Sequence, residues 1–188
     1  FDNISYSYGK DKTVFKDKTI DIPITNNSII GITGESGSGK STLMKLLIKI
    51  YNLNKGNIFI DDVNINDLDP VKLREDITYV NQNSKLFDEK VINNILYGCI
   101  NEDDCNKHLK EIFQYPTISN LYKNVNIHTK NAGQLGENLS GGQRQVANLI
   151  SGLINPSDIL ILDEPTNALD PDLKKEIINI IQHFKKYK

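Results

Sequence analysis

A glycine-rich loop lies between a strand-like segment and an amphipathic helix early in the chain. Residues 34–41 read Gly-Glu-Ser-Gly-Ser-Gly-Lys-Ser and fit the pattern G-x-x-x-x-G-K-[ST]. Glycines let such a loop curl until successive backbone N–H groups point at phosphate oxygens, and the helix that begins at Lys40 adds its positive dipole end. In this pattern the lysine neutralises the β- and γ-phosphates, and the hydroxyl of Ser41 joins a Mg²⁺ shell. The loop therefore predicts a site for a nucleoside triphosphate.

Hydrophobic periodicity predicts the elements around this loop. A helix over 40–51 places Leu43, Leu46, Leu47 and Ile50 on one buried face. Alternating or isoleucine-rich runs predict strands at 4–8, 19–24, 28–33, 57–60, 77–80 and 159–162, with a turn at 26–27. Further helices are predicted at 70–76, near 90–97, 102–115 and 117–123, at 140–153, and from 171 towards 187. The predicted fold is α/β with a helical insertion.

Two acids directly follow an apolar run of four residues. The run 159–162 is typical of a strand covered on both faces of a sheet, and Asp163 and Glu164 stand at its carboxyl end, where open α/β sheets bind ligands. Asp163 can hold Mg²⁺, and Glu164 can polarise a water molecule aimed at a γ-phosphate. The alternative is that the two acids only begin a turn before Pro165.

A second glycine pair opens another predicted helix. Residues 139–143 read Leu-Ser-Gly-Gly-Gln, so Ser140 is predicted as the N-cap and the glycines expose a helix N-terminus to an anion. One nucleotide has no use for two such sites in one chain. The second site is therefore expected to serve a nucleotide held by another copy.

The composition is that of an ordinary globular protein, with 38% apolar and 24% charged residues. A formal net charge of −2 gives no support for binding nucleic acid through bulk electrostatics. The sequence has no apolar run of the roughly 20 residues that span a bilayer. Cys99 and Cys105 are expected to be free thiols, since two cysteines make no disulfide framework.

Together these motifs resemble the nucleotide-binding domain of ATP-binding-cassette (ABC) transporters over essentially the whole chain. By this resemblance 34–42 is the Walker A motif, 139–143 the ABC signature, 159–164 the Walker B motif, and Ala168, Leu169 and Asp170 the D-loop. The implied fold is an α/β P-loop NTPase (RecA-like) core with an antiparallel β subdomain and an inserted α-helical subdomain. The whole of 1–188 is expected to be one such domain, with 1–82 and 139–188 as the ATP-binding core and 83–138 as the helical subdomain.

The resemblance also assigns individual roles. Gln82 matches the Q-loop glutamine, which touches Mg²⁺ and couples to a transmembrane partner, and Tyr8 matches the aromatic residue that stacks on adenine, with Tyr6 as the competing candidate. The catalytic residues are Glu164, Lys40 and Gln82, and the metal ligands are Ser41, Gln82 and Asp163. The nucleotide-binding residues are Tyr8, Gly34, Glu35, Ser36, Gly37, Ser38, Gly39, Lys40, Ser41, Thr42, Ser140, Gly141, Gly142, Gln143 and Asp170.

Segments after the Q-loop are similar to the exporter-type subfamily. They comprise Leu86-Phe87, the run 94–98 and the run 132–136, which resembles the X-loop that precedes the signature. Gln134 and Leu135 stand where that loop usually has glutamate and arginine. Lys90 replaces a usual threonine, and Ser151 replaces an arginine of the signature helix. These departures concern the contact with a membrane partner and leave the ATP site intact.

The end of the chain departs further from the family pattern. Family members carry a switch histidine roughly 25–30 residues after the D-loop aspartate, by the same resemblance, whereas Lys188 follows Asp170 by 18 residues. The chain is therefore expected to be incomplete at its C-terminus. His183 is interpreted as a structural residue within the last helix.

The resemblance implies that two such domains sandwich two Mg·ATP molecules head to tail and power transport across a membrane. The expected cofactors are ATP and Mg²⁺. The expected partners are a second nucleotide-binding domain, in a homodimer or heterodimer, and a transmembrane domain that holds the chain on the cytosolic or organelle-interior face; nucleic acid is not expected. The alternatives are a soluble ABC ATPase acting on nucleic acid or ribosomes, and a nucleotide-gated module without turnover. Leu139 follows Gln82 by 57 residues, a spacing that fits the transporters.

Overall fold

The computed structural model describes residues 1–9, 12–82, 85–167 and 169–188. These form two compact units, Phe1–Ile77 and Thr78–Lys188. The start of the predicted helical subdomain, at Asn83 and Ser84, and Ala168 of the predicted D-loop lie outside the described residues.

A three-stranded antiparallel sheet organises the first unit. Its order is β2 (Lys12–Lys18), β1 (Asp2–Tyr8) and β3 (Lys55–Asn57). Side chains alternate along β1, so Ile4 and Tyr6 are buried on one face together with Phe15 of β2. The sheet confirms the predicted strand at 4–8 and the expected antiparallel β structure.

Helix α1 (Lys40–Leu47) follows the glycine loop and is shorter than predicted. Lys49 takes a left-handed conformation at φ 55°, and the N–H groups of Ile50 and Tyr51 both donate to the carbonyl of Lys45. The chain thus leaves the helical path after the first two turns. Leu43 and Leu46 are buried as predicted, but Ile50 is 52% exposed, so the prediction that it lies on the buried face is wrong.

The rest of the first unit is a short hairpin and a short helix. The hairpin joins β4 (Phe59–Ile60) to β5 (Val63–Asn64), and α2 (Pro70–Asp76) has the predicted bounds. Asp69 caps α2 by accepting a 2.8 Å hydrogen bond from the N–H of Val71. The single strand predicted at 57–60 is divided between β3 and β4, because the two halves pair with different neighbours.

Two predicted strands do not form. The segments 19–24 and 28–33 have no strand assignment, although the turn at Asn26-Asn27 is present. The isoleucines at 24, 29, 30 and 32 are 42–60% exposed. Strand propensity reflects how well a side chain fits a half-buried pleated surface, and neither segment belongs to one of the described sheets, which would supply such a surface. The sequence prediction was therefore wrong here.

Helices dominate the second unit. They are α3 (Val91–Ile95), α4 (Glu102–Ile112), α5 (Pro116–Leu121), α6 (Gly141–Ile154) and α7 (Pro171–Phe184), and a 3₁₀ turn at Lys185–Tyr187 follows. All five were predicted, with bounds that differ by a few residues. Val146 and Ile150 of α6 are buried in one cluster with Ile177 and Phe184 of α7. In the described part of the chain, no helix is long and apolar enough to cross a bilayer.

Strands β6 (Ile77–Val80) and β7 (Ile159–Leu162) pair in a two-stranded sheet and have the predicted bounds. Gly152 of α6 passes so close to both strands that a Cβ there would overlap the side chain of Val80. The residues of β7 are nevertheless only half-buried, so the prediction of complete cover on both faces is wrong. A two-stranded sheet covered by α6 leaves part of each strand accessible.

Cys99 and Cys105 are joined by a disulfide, so the expectation of free thiols is wrong. The loop before α4 folds back on the first turn of that helix and brings the two Cα atoms to 6.5 Å, within the range that a disulfide spans. Composition counts cysteines but does not show which of them the fold brings together. His183 of α7 contacts Glu111 of α4 through its Nε2 atom.

Candidate active site

The glycine loop holds its lysine over the loop backbone. The Nζ atom of Lys40 donates to the carbonyls of Gly34 and Glu35, both at 2.9 Å, and the N–H of Ser38 donates to the carbonyl of Glu35 at 3.2 Å. The loop is therefore a closed curl with an ammonium group at its mouth. That arrangement suits a group carrying phosphate negative charge.

Gly39 shapes the entrance to α1. It is the N-cap residue at φ 98°, in the left-handed region that favours glycine, and a Cβ there would lie 2.8 Å from the Cζ atom of Phe15. Glycine has no side chain with which to cap the helix, so the N-cap residue makes no side-chain hydrogen bond to the first N–H groups of α1. The sheet residue Phe15 thus limits which residue can stand at the loop's last turn.

Tyr8 lies beside the loop's helix. Its hydroxyl and the Oγ1 atom of Thr42 are 2.8 Å apart, and its side chain is 37% exposed. Tyr6 is 8% exposed and stacks on Tyr51 with ring centroids 5.7 Å apart. An adenine needs an accessible aromatic face, so the geometry favours Tyr8 over Tyr6.

Tyr51 was not predicted as part of this aromatic group. Its ring meets that of Tyr8 edge-on at 5.5 Å, and its hydrogen bond with Tyr8 raises the pKa of Tyr51. Tyr51 follows α1 in sequence, but the predicted helix over 40–51 included it, so its contact with Tyr8 was missed. The helix in the structure ends at Leu47, and Tyr51 beyond it contacts Tyr8.

In the second unit three predicted residues meet where β6 and β7 end. The N–H of Asp163 donates to the carbonyl of Val80 at 3.0 Å, which brings the two strand ends together. The Nε2 atom of Gln82 then donates to the Oε2 atom of Glu164 at 2.6 Å. Two residues distant in sequence are thus joined by one side-chain hydrogen bond, as expected of an active-site cluster.

Two further side chains contact these acids and were missed by sequence reasoning. The hydroxyl of Tyr79 donates to the Oδ2 atom of Asp163 at 2.8 Å, and the amide of Asn167 donates to the Oε2 atom of Glu164 at 3.2 Å. Their residue types carry no motif signal of their own. They orient the carboxylates because the strand ends and the following turn bring them within reach.

The turn after β7 has an unusual backbone. Glu164 takes a left-handed conformation at φ 50°, which costs a residue of this type about 1–3 kcal/mol and persists only where the surroundings hold it. The N–H of Asn167 donates to the carbonyl of Glu164 at 3.1 Å within the turn. This conformation directs the Glu164 carboxylate towards Gln82.

A cavity of about 700 Å³ opens beside these carboxylates within the second unit. Its lining combines acidic, basic and amide side chains, among them Gln82, Lys85, Arg144, Gln145, Asp163 and Glu164. Its volume is typical of a ligand site. Among the residues described, no group of three or more His, Cys, Asp and Glu side chains forms a metal cluster, so a cation here would depend on mixed oxygen ligands.

The second glycine motif forms the predicted helix start. Ser140 is the N-cap of α6: its Oγ accepts from the N–H of Gln143 at 3.2 Å, and the Oε1 atom of Gln143 accepts from the N–H of Ser140 at 3.0 Å. Gln143 also donates through Nε2 to the carbonyl of Leu121 at 2.9 Å. Its side chain therefore stabilises the helix start, with Gly141 and Gly142 in the first turn.

Asp170 caps its own helix. One carboxylate oxygen accepts from the N–H of Leu173 at 3.0 Å at the start of α7. The expected role of Asp170 in bridging to a second copy would therefore have to use its other oxygen or a rearranged cap.

A glycine loop at a helix start and carboxylates at a strand end are the parts of a P-loop nucleotide-binding protein. Comparison with known proteins narrows this class. The family model described as ABC transporter matches residues 18–167, and the chain belongs to that family.

The similar proteins include a transport ATP-binding protein, a flippase and an exporter. The chain is 36% identical over 184 residues to the lactococcin-G-processing and transport ATP-binding protein LagD of Lactococcus lactis subsp. lactis, covering 96% of this chain and 25% of that protein. It is 32% identical over 187 residues to the ATP-dependent lipid A-core flippase of Haemophilus influenzae, covering 99% and 32%. A bacterial Atm1-family ABC exporter with ATP bound matches all of the chain and 33% of its own length, with a TM-score of 0.88 and 26% identity.

These matches confirm the family and the α/β ABC ATPase fold inferred from the motifs. The chain is an ATP-binding domain of the ATPase class, and its relatives are of the exporter type. It spans a quarter to a third of the length of the relatives described.

Proposed function

We propose that this chain hydrolyses ATP and thereby powers transport by an exporter-type ABC transporter. The observation that carries the proposal is the 2.6 Å hydrogen bond between Gln82 and Glu164 at the strand ends that also hold Asp163. The exporter relatives favour this function over a soluble ATPase acting on nucleic acid or ribosomes.

Glu164 is proposed as the general base. Gln82 and Asn167 both donate to its Oε2 atom, so the carboxylate is oriented and its Oε1 atom can take a proton from water attacking the γ-phosphate. A base must lie in a fixed position to gain the advantage of proximity. The left-handed turn at Glu164 serves that purpose.

Lys40 and the glycine loop are proposed to bind the triphosphate. The Lys40 ammonium already donates hydrogen bonds to the carbonyls of Gly34 and Glu35 and can exchange these acceptors for phosphate oxygens. The loop residues Ser36, Gly37, Ser38 and Gly39 supply backbone N–H groups, and Tyr8 supplies a face for adenine.

Mg²⁺ is proposed to bind Ser41, Gln82 and Asp163. These side chains offer hydroxyl, amide and carboxylate oxygens, which are the ligands Mg²⁺ prefers. Tyr79 donates to the Oδ2 atom of Asp163, and Gln82 donates its nitrogen to Glu164, so both proposed ligands lie in the same hydrogen-bonded cluster. When bound, the metal would neutralise charge on the phosphates.

Each nucleotide is proposed to be shared between two nucleotide-binding domains, in a homodimer or a heterodimer. The glycine loop of one copy and Ser140, Gly141, Gly142 and Gln143 of the other would meet at the phosphates, with Asp170 contributing across the interface. The capped, glycine-containing start of α6 supports this, since it is a second helix N-terminus suited to an anion.

The membrane partner is proposed to dock on the helical subdomain, 83–138, and 1–82 with 139–188 would form the ATP-binding core. Phe87 and Tyr97 support this: their ring centroids are 4.8 Å apart, yet the side chains are 56% and 66% exposed. Ile100 nearby in sequence is 81% exposed. Exposed aromatic surface favours a protein partner, and the chain would thereby be membrane-associated on the cytosolic or organelle-interior face.

The proposal is tested by measuring ATPase rate against protein concentration, with Glu164→Gln as the control. A composite site formed by two copies predicts a rate that rises with the square of concentration at low concentration. ATP binding without turnover at every concentration would instead identify a nucleotide-gated module.

A further inference from the structure

Helix α6 makes a direct contact with the turn that carries the proposed base. The Nε2 atom of Gln145 donates to the carbonyl of Pro165 at 2.9 Å. Gln145 lies in the first two turns of α6, two residues after Gln143, and is half-buried beside the cavity. Pro165 directly follows Glu164, so one peptide unit separates the anchored carbonyl from the base.

The anchored turn is strained, and a backbone bond within it is local. Glu164 holds φ 50°, and the bond from the N–H of Asn167 to the carbonyl of Glu164 spans three residues of the same turn. Such a turn keeps a costly conformation only where other elements hold it. Gln145 fixes the turn from a packed helix: the next two residues of that helix, Val146 and Ala147, are 0% and 1% exposed.

We propose that Gln145 is a positioning residue that makes the geometry of Glu164 depend on the position of helix α6. The proposal rests on the proposed function, in which Glu164 is the base. Gln145 does not touch the reacting atoms. Its amide fixes the Pro165 carbonyl, and this sets the direction in which the preceding carboxylate points.

Through this contact, a movement of the signature segment can change the position of Glu164 within the same chain. Ser140 and Gln143 cap the same helix two to five residues before Gln145, so a shift of the α6 N-terminus on binding an anion moves the Gln145 amide with it. The displaced carbonyl then shifts Glu164. A misplacement of about 1 Å at a base can cost up to about 100-fold in rate.

The decisive variant is Gln145→Met, which keeps the side-chain length and removes the amide donor. Gln182→Met is its matched control, because Gln182 is exposed on α7. We expect kcat for ATP hydrolysis to fall about 10-fold in Gln145→Met, with KM equal to that of the control and a thermal midpoint lower by about 2–4 °C, as for one lost hydrogen bond. Gln145→Glu, which places an anion against the carbonyl, is expected to lower kcat at least as far.

Hydrogen exchange at the Asn167 N–H is measured on the same proteins. We expect faster exchange in Gln145→Met than in Gln182→Met, since that N–H closes the turn through Glu164. Unchanged exchange and unchanged kcat would overturn the proposal. A fall in kcat together with a rise in KM and a large fall in the thermal midpoint would overturn it too, because that pattern marks a general structural role.

The exchange measurement separates this inference from the proposed function. If Glu164→Gln still hydrolyses ATP at the native rate, the base assignment fails, and exchange at Asn167 still decides whether Gln145 holds the turn. If the chain binds ATP without turnover, the same readout decides: faster exchange supports the positioning role and unchanged exchange overturns it.

Discussion

The glycine loop and the carboxylate cluster are built in opposite ways. The loop is contiguous: Lys40 closes on Gly34 and Glu35, six and five residues away, through backbone carbonyls. The cluster joins Gln82 to Glu164 and Tyr79 to Asp163, pairs separated by 82 and 84 residues, through side chains. One region therefore depends on local backbone conformation, and the other depends on how two strand ends and a turn are packed. The first is suited to holding an anion and the second to placing a base.

The sharpest test of this division is Glu164→Gln. If the cluster does chemistry and the loop does binding, kcat should fall about 1000-fold while ATP affinity stays within a few-fold of the native value. Turnover assays and equilibrium binding on the same preparation measure both, with Glu102→Gln on α4 as the control. A native rate in Glu164→Gln would remove the base assignment.

Lys40→Met should produce the converse pattern. Loss of the ammonium removes charge-assisted hydrogen bonds to phosphate, so ATP affinity should fall about 100-fold. Titration with a fluorescent ATP analogue measures this, and Lys72→Met, on the exposed side of α2 in the same unit, is the matched control. Equal affinities in the two variants would show that the loop does not bind the triphosphate through Lys40.

Gly39→Ala tests whether the loop's conformation is a local property. The new Cβ would meet Val14 and Phe15 at a residue held at φ 98°, so the free energy of unfolding should fall by about 2 kcal/mol. Gly31→Ala is the control, since a Cβ at Gly31 meets nothing within 4 Å. Urea unfolding of both variants gives the difference; equal midpoints would mean that the loop relaxes freely around the added methyl group.

The smallest effect is expected from Tyr79→Phe. Removing the hydroxyl deletes its 2.8 Å hydrogen bond to Asp163 and should lower the free energy of unfolding by about 1 kcal/mol. Tyr187→Phe, at a hydroxyl remote from the cluster, is the comparison in the same urea titration. A difference near zero would show that the carboxylate is held in place without Tyr79.

Much of the secondary structure was predictable, and the failures share a cause. Helix α2 and strands β6 and β7 have the predicted bounds because proline, capping aspartate and apolar runs are local signals. The strands at 19–24 and 28–33 were predicted from isoleucine-rich or apolar runs on either side of a turn, but forming a strand requires a paired neighbour. Ile50 was assigned to a buried face because periodicity does not register the left-handed residue, Lys49, that ends α1.

What could be predicted of the site follows the same division. The glycine loop, Ser140 as a helix cap and the acids after β7 were identified because each is a run of adjacent residues whose backbone conformation or position after a strand carries the chemistry. The contacts of Tyr79, Asn167 and Gln145 with the acid-bearing turn, and the bond between Cys99 and Cys105, depended on the tertiary structure. Such contacts form when a helix packs on strands and one chain segment folds back on another. Hydrophobic burial drives that packing without direction, so no local pattern states which side chains it brings together.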